Sequence, residues 1–312
     1  MKAVFLDRGS FPHHIRIELP LAATDVVMFD NTSEDQVAQR IQGADIVLTN
    51  KVVINAAAIA ASNQLKLIQV MATGTNNVGA EACSMKGIRV QNVTDYSTIS
   101  VPEHTFAMLL ALRRNLVAYL DDVKAGKWAS SEYFCFLDYP IKDLAGSTFV
   151  ILGGGTLGKK VAAIALAFGM KVVFAERKGA SDIRPGYVEF DSALKIADII
   201  SIHCPLTPDT KNLISENEFN LMKTNTVLLN MSRGGIVDEI ALIGALENGL
   251  IAGAAFDVAL QEPMPINSPL QSLCQRPNFL LTPHVAWASD EAMQTLVNIA
   301  MDKIATFVDK TH

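Results

Sequence analysis

The chain has 312 residues, enough for about two domains that each bury a core. Half of the residues are apolar and 19% are charged, which excludes a disordered chain, and a formal net charge of −6 without a Lys/Arg-rich cluster argues against nucleic-acid or anionic-membrane partners. The longest stretch free of charge, residues 144–158, is shorter than the roughly 18–20 residues of a bilayer-spanning helix and is interrupted by glycine.

Met1 and Lys2 lead directly into the strand-like AVFL with no apolar targeting segment, so the expected location is the cytoplasm. Apolar runs at residues 2–6, 25–29, 44–49, 65–71 and 88–93 have the length and composition of buried strands. Helical segments fall between them. Ser33 followed by Gln36 is a capping-box pattern, and residues 54–61 and 78–86 supply two more helices. This half therefore reads as a doubly wound parallel sheet without a Gly-rich phosphate turn. Ser100 with Glu103 forms a second capping-box pattern, predicting one long helix with apolar Phe106, Leu109, Leu110, Leu116, Val117 and Leu120 that ends near Gly126.

From residue 148 the alternation resumes, with strands expected at 148–152, 170–175, 198–202, 227–230, 251–256 and 279–281. Helices are expected at 157–168, 215–222 and 238–248, the last closed by Gly249. A final helix over 290–308 is expected to return to the first domain. The fold class is thus α/β, with two doubly wound parallel-sheet domains: a Rossmann dinucleotide-binding domain (residues 99–287) inserted into a flavodoxin-like substrate domain (1–98 plus 288–312). Hinges near 97–101 and 284–289 and a ligand cleft between the halves follow from that layout.

The turn GGGTLG carries the strongest chemical signal. Gly153, Gly155 and Gly158, with Thr156 and Leu157 between, reproduce the GxGxxG spacing between an apolar strand and a helix, where backbone amides and a helix N-terminus meet a pyrophosphate. Glu176 ends the next strand 18 positions past Gly158, where a carboxylate can accept hydrogen bonds from an adenosine ribose. Arg177 and Lys178 follow it. An acid there repels a 2′-phosphate whereas the neighbouring cations welcome one, and the expected preference is NADH over NADPH.

Arg233 in NMSRGG, Glu262 in DVALQEP and His284 in LTPHVAW stand just past successive strands, whose ends face one edge of an open parallel sheet. Taken singly, a solvated arginine, a turn glutamate and a packed loop histidine are the plain alternatives. Together they suit hydride transfer to a 2-oxo acid. A guanidinium holds the carboxylate and polarises the neighbouring carbonyl, and an imidazole steadied by a carboxylate gives and takes the proton. Cys83, Cys135, Cys204 and Cys274 lie far apart without ligand spacing, so neither a disulfide framework nor a metal site is expected. His104, His203, His13, His14 and His312 are not assigned to catalysis; the last three are expected in solvent.

The segments GGGTLG, HCPLTPDT, NMSRGGIVDE, DVALQEP and TPHVAWAS resemble, in this order, the successive signatures of the D-isomer-specific 2-hydroxyacid dehydrogenases. The resemblance implies the two-domain inserted fold, catalytic roles for Arg233, Glu262 and His284, an NAD cofactor and a homodimer that embraces through the nucleotide domain. It further implies that Asp257 binds the nicotinamide amide, that Cys204, Pro205 and Thr210 line the adenine-ribose side, and that Met231 and Ser232, with Arg233 and His284, lie along the nicotinamide. MATGTNNV is similar to the family loop that holds the substrate carboxylate, which implicates Ala72, Thr73 and Gly74. TNKVVI and TPHVAW look most like the glycerate dehydrogenase and hydroxypyruvate reductase branch, and bring in Lys51 and Trp287 as substrate contacts; an exposed lysine and a packed tryptophan are the alternatives. The implied reaction is reduction of hydroxypyruvate to D-glycerate, with glyoxylate as a second substrate. Other dehydrogenases of the family, acting on phosphoglycerate or D-lactate, and an NADH-sensing corepressor on the same scaffold are the competing readings.

Overall fold

The computed structural model describes residues 1–19 and 25–310, so His312 lies outside the described residues. The chain forms two compact units, Met1–Ser97 with Ala288–His312 and Thr98–Trp287. Both are α/β units with wholly parallel sheets.

In the first unit the strands are β1 (Lys2–Phe5), β2 (Asp25–Met28), β3 (Ile46–Thr49), β4 (Leu67–Val70) and β5 (Arg89–Gln91), in the order β2-β1-β3-β4-β5. Helices α1 (Glu34–Arg40), α2 (Ala56–Ala61) and α3 (Ala80–Met85) alternate with them. The expected capping box opens α1, with Ser33 and Gln36 each satisfying the other's backbone. Val4, Leu6, Val47, Ile68 and Val70 pack with Val37, Ile54, Ile59 and Cys83 in one apolar cluster. The C-terminal helix Asp290–Asp309 belongs to this unit; Gln294 exchanges hydrogen bonds with the backbone of Arg16, and Lys303 donates to the Asn92 carbonyl at the end of β5.

The second unit contains α4 (Ser100–Arg113), α5 (Leu116–Lys124), β6 (Thr148–Leu152), α6 (Thr156–Ala167), β7 (Lys171–Ala175), β8 (Tyr187–Val188), α7 (Phe190–Ile196), β9 (Ile199–Ile202), α8 (Glu216–Leu221), β10 (Val227–Asn230), α9 (Glu239–Glu247), β11 (Gly253–Phe256) and β12 (Phe279–Leu281). Its sheet runs β12-β11-β10-β9-β6-β7-β8. Because strand side chains alternate between faces, Phe149 and Ile151 of β6 enter one core, with α4 and α6, and Val150 and Leu152 enter the other, with α7 to α9. Both faces are covered, which is why these strands read as unbroken apolar runs.

Three local expectations are corrected. The long helix expected from Ser100 to about Gly126 is two, because Asn115 adopts a left-handed conformation (φ 47°) and ends α4. Lys142 N–H then caps the Arg113 carbonyl and Asn115 Nδ2 donates to Pro140, so residues 140–142 replace the helical bonds lost at the break. The Ser100/Glu103 capping box does not form: the helix is already entered at Ile99, and the buried Ser100 Oγ has no partner among the described residues. Helix α7 was not expected, because Glu189, a residue type outside the usual N-cap set, caps it by accepting from the amides of Asp191 and Ser192.

Candidate active site

The parallel register aligns the carboxyl ends of the second sheet. Ala175, Leu152, Ile202, Asn230, Phe256 and Leu281 are successive cross-strand partners from β7 to β12. The Gly-rich turn, Cys204, Arg233, Asp257 and His284 all follow these residues, so they collect along one edge. Chain order reverses between β6 and β9, the position where ligands of open α/β sheets bind.

At that switch point Gly153 has φ +110°, and a Cβ there would lie 2.6 Å from the His203 carbonyl and 2.7 Å from the Cys204 amide. Only glycine lets the β6 turn pass the β9 loop so closely. Gly155 caps α6 and faces open space where its Cβ would stand, leaving room for a ligand to approach the backbone; Thr156 and Leu157 open the helix. A twelve-residue helix beginning on such a turn fits a pyrophosphate, so the residues present fit a dinucleotide.

Glu176 stands at the end of β7 as expected, only 4% exposed, and its carboxylate is already occupied. Oε1 accepts from the Arg177 amide at 2.8 Å and Arg184 Nη2 at 2.7 Å, and Oε2 from Arg184 Nε at 2.6 Å. The Arg184 guanidinium holds this carboxyl down at about 2. On the β9 side, burial pushes the Cys204 thiol up to about 11, while the Cys204 carbonyl accepts from Ser232 Oγ at 2.5 Å. Thr210 Oγ1 closes the neighbouring turn on the Pro205 carbonyl at 2.6 Å. Met231 is buried beside them.

Asn230 was not singled out from the sequence, yet it organises the turn that carries Arg233. Fully buried at the end of β10, it accepts from the Ser232 amide at 3.1 Å and donates to the Arg233 carbonyl at 2.9 Å. Arg233 Nη1 donates to the Ser232 carbonyl at 2.7 Å, and Nε and Nη2 have no acceptor among the described residues. Gly234 lets the loop after β11 close in, since a Cβ there would meet the Ala259 carbonyl.

The Glu262 and His284 side chains meet. His284 Nδ1 lies 2.6 Å from Glu262 Oε2, and Glu262 Oε1 accepts from the Ala259 amide at 3.1 Å. A carboxylate cannot donate, so Nδ1 carries the proton and Nε2 is left for a reactant. The histidine itself sits at φ 56°, a strained position for its type. Asp257 holds that strain in place: its buried carboxylate accepts from Thr282 Oγ1 at 2.6 Å and from the amides of Val285 and Ala286 at 2.8 Å each. His104 Nε2 reaches Thr282 Oγ1 at 3.0 Å and thereby extends the same network. Trp287 gives its indole N–H to the His284 carbonyl at 2.9 Å and packs on the unit's core.

The first unit presents its candidates on the loops after β3 and β4. Buried Asp7 accepts from the amides of Asn50, Lys51 and Val52, so it shapes the loop bearing Lys51; burial raises its carboxyl against the lowering by those amides. After β4, Thr73 Oγ1 donates to the Val93 carbonyl and Asn92 Nδ2 to the Thr73 carbonyl, while the Thr73 and Gly74 amides have no acceptor among the described residues. Ala72 is buried. His14 is exposed and pairs with Asp290 at 2.9 Å, His13 is exposed, and His203 lies beyond β9 against Ser201 Oγ at 2.7 Å.

Residues 106–286 match the family described as D-isomer specific 2-hydroxyacid dehydrogenase, NAD binding domain. The chain is 43% identical to the glycerate dehydrogenase of Methylorubrum extorquens, over 98% of this chain and 96% of that one. It is 34% identical to the hydroxypyruvate reductase of Blautia hydrogenotrophica, over 92% and 90%. Among solved structures, D-lactate dehydrogenase from Aquifex aeolicus in complex with NAD and lactic acid superposes with a TM-score of 0.82 at 27% identity, covering 99% of this chain and 96% of that chain.

Proposed function

The chain belongs to the D-isomer-specific 2-hydroxyacid dehydrogenase family and is an NAD-dependent dehydrogenase, and from that premise we propose that it reversibly reduces hydroxypyruvate to D-glycerate, with glyoxylate as a second substrate. The glycerate dehydrogenase at 43% identity over nearly the whole of both chains supports this choice, whereas D-3-phosphoglycerate dehydrogenases match at 31–35% identity and this chain spans only 37–55% of their length. The observation that carries the chemistry is the Glu262–His284 hydrogen bond on the edge where the Gly-rich turn opens.

The Gly153–Gly158 turn, with Met231, Ser232 and Asp257, would hold NADH, which when bound would supply the hydride. The Arg233 fork holds the carboxylate of the 2-oxo acid and draws electron density from its carbonyl. As the carbonyl carbon gains hydride, His284 Nε2 delivers a proton to the developing alkoxide, so one hydride and one proton account for the hydroxyl product. Glu262 orients the ring and offsets the charge of the protonated imidazole before transfer. In oxidation the same nitrogen takes the proton back. Trp287, bonded to the His284 carbonyl, adds a substrate contact within the same unit.

We further propose a cytoplasmic homodimer. Four cysteines without a disulfide suit a reducing compartment. Exposed Leu116, Val117 and Leu120 on α5 lie beside residues 128–141, where Tyr119 meets Phe136 at a tilt and Tyr139 edge-on and where Tyr133, Phe134 and Leu137 are 76%, 89% and 75% exposed. An apolar surface of that kind suits a self-complementary contact.

Hydroxypyruvate, glyoxylate and pyruvate tested with NADH decide the reading. Hydroxypyruvate is expected to have the highest kcat/KM. His284→Ala should lower kcat by about 10²–10⁴ with KM little changed, whereas Arg233→Ala should raise KM and lower kcat. NADH binding without turnover of any 2-oxo acid would replace the enzyme by a sensor.

A further inference from the structure

Glu176 ends β7 where an acid normally accepts the two ribose hydroxyls of NAD and repels the phosphate of NADP. Here each carboxylate oxygen has about two acceptor directions, and four donors fill them. Oε1 takes the Arg177 amide and Arg184 Nη2; Oε2 takes Arg184 Nε and, at 3.2 Å, the Arg184 amide. The guanidinium is further held over the Tyr187 ring, 3.9 Å from its centroid. Nothing on Glu176 remains for a ribose diol.

The charge balance around the acid points the same way. Glu176, Arg177, Lys178, Gly179, Ala180, Ser181, Asp182 and Arg184 line a surface pocket of roughly 470 Å³, three cations against two acids. Lys178 is engaged by Glu218 at 2.7 Å, but the Arg177 guanidinium and the Ser181 hydroxyl have no protein partner among the described residues. The acid that should exclude a phosphate is therefore neutralised by contact, and an exposed guanidinium and a hydroxyl stand next to it.

We propose that Arg184 sets the nucleotide specificity of this chain: by occupying Glu176 it removes the discrimination against a ribose 2′-phosphate, so that NADPH is accepted alongside NADH. This rests on the dehydrogenase reading above and names a residue that reading leaves out. The pair stays ionised across the neutral range, since the guanidinium holds the Glu176 carboxyl at about 2.

Dissociation constants for NADH and NADPH, measured by nucleotide fluorescence without substrate, test the proposal separately from turnover. The wild type is expected to bind the two within about tenfold of each other. Arg184→Ala frees the carboxylate, so NADPH binding should weaken by more than about tenfold relative to NADH, with NADH binding kept or tightened. Arg184→Lys, a single point donor in place of a fork, should fall between. Glu176→Gln should shift the ratio in the opposite sense, toward NADPH. Equal weakening of both nucleotides in Arg184→Ala, or a wild type that already discriminates against NADPH by more than tenfold, overturns the proposal while leaving the dehydrogenase reading intact. Failure of the wild type to bind either nucleotide removes both.

Discussion

His203 shows how a residue without a catalytic assignment can govern behaviour with pH. Burial pushes its imidazole down to about 4 from an ordinary 6.5. The unfolded chain therefore takes up a proton below about 6.5 that the folded chain refuses until about 4. Stability from this site is complete above 6.5 and is lost as pH falls through that window, on the order of 3 kcal/mol in total. His203→Gln, which can still bond Ser201, should flatten the dependence; parallel urea-denaturation profiles for both proteins from pH 7 to 4.5 would refute it. The proposed catalytic residues Arg233, Glu262 and His284 could be singled out in the sequence because each follows a strand in a motif of unusual residue types. Asp7 was not, because the amides it holds, those of Asn50, Lys51 and Val52, become its neighbours only in the folded chain; Asn230 bonds within its own turn, a local role for which an asparagine after an apolar run is too common a signal.

Among the elements, the two serine patterns at α4 and α8 separate local signal from tertiary outcome. Both sequences have the capping-box spacing. Ser215 and Glu218 form the box at α8, whereas Ser100 lies inside α4 with an unpaired buried hydroxyl. Ser215→Ala should cost about 0.5–2 kcal/mol, and Ser100→Ala should be neutral or stabilising, because it removes a buried group that gains nothing. Thermal melts of the two variants measure this, and an equal loss in both would restore the cap at Ser100. Strands were easier to read than helix ends. A strand buried on both faces is a continuous apolar run whatever surrounds it, but the end of α4 depends on Lys142 and Pro140, far along the chain.

At the scale of the molecule, the apolar surface of α5 and residues 128–141 bears on assembly. Light scattering coupled to size exclusion should give twice the 33.7 kDa chain mass, and Phe134→Asp combined with Leu137→Asp should shift it toward that of one chain. A wild-type protein that elutes as a single chain at micromolar concentration would rule the dimer out.

Alternating apolar runs, a glycine turn with fixed spacing and polar residues after strands are local patterns, and they alone determined that this is an α/β chain with a dinucleotide turn and a strand-end set of Arg, Glu and His. Which carboxylate is free and which is spent was decided only by tertiary structure. Glu262 meets His284 across 22 positions, Asp257 clamps the loop that strains that histidine, and Glu176 is filled by Arg184. A side chain's hydrogen-bonding capacity is consumed by whatever the fold brings within 3 Å, and that competition has no signature in the order of residues.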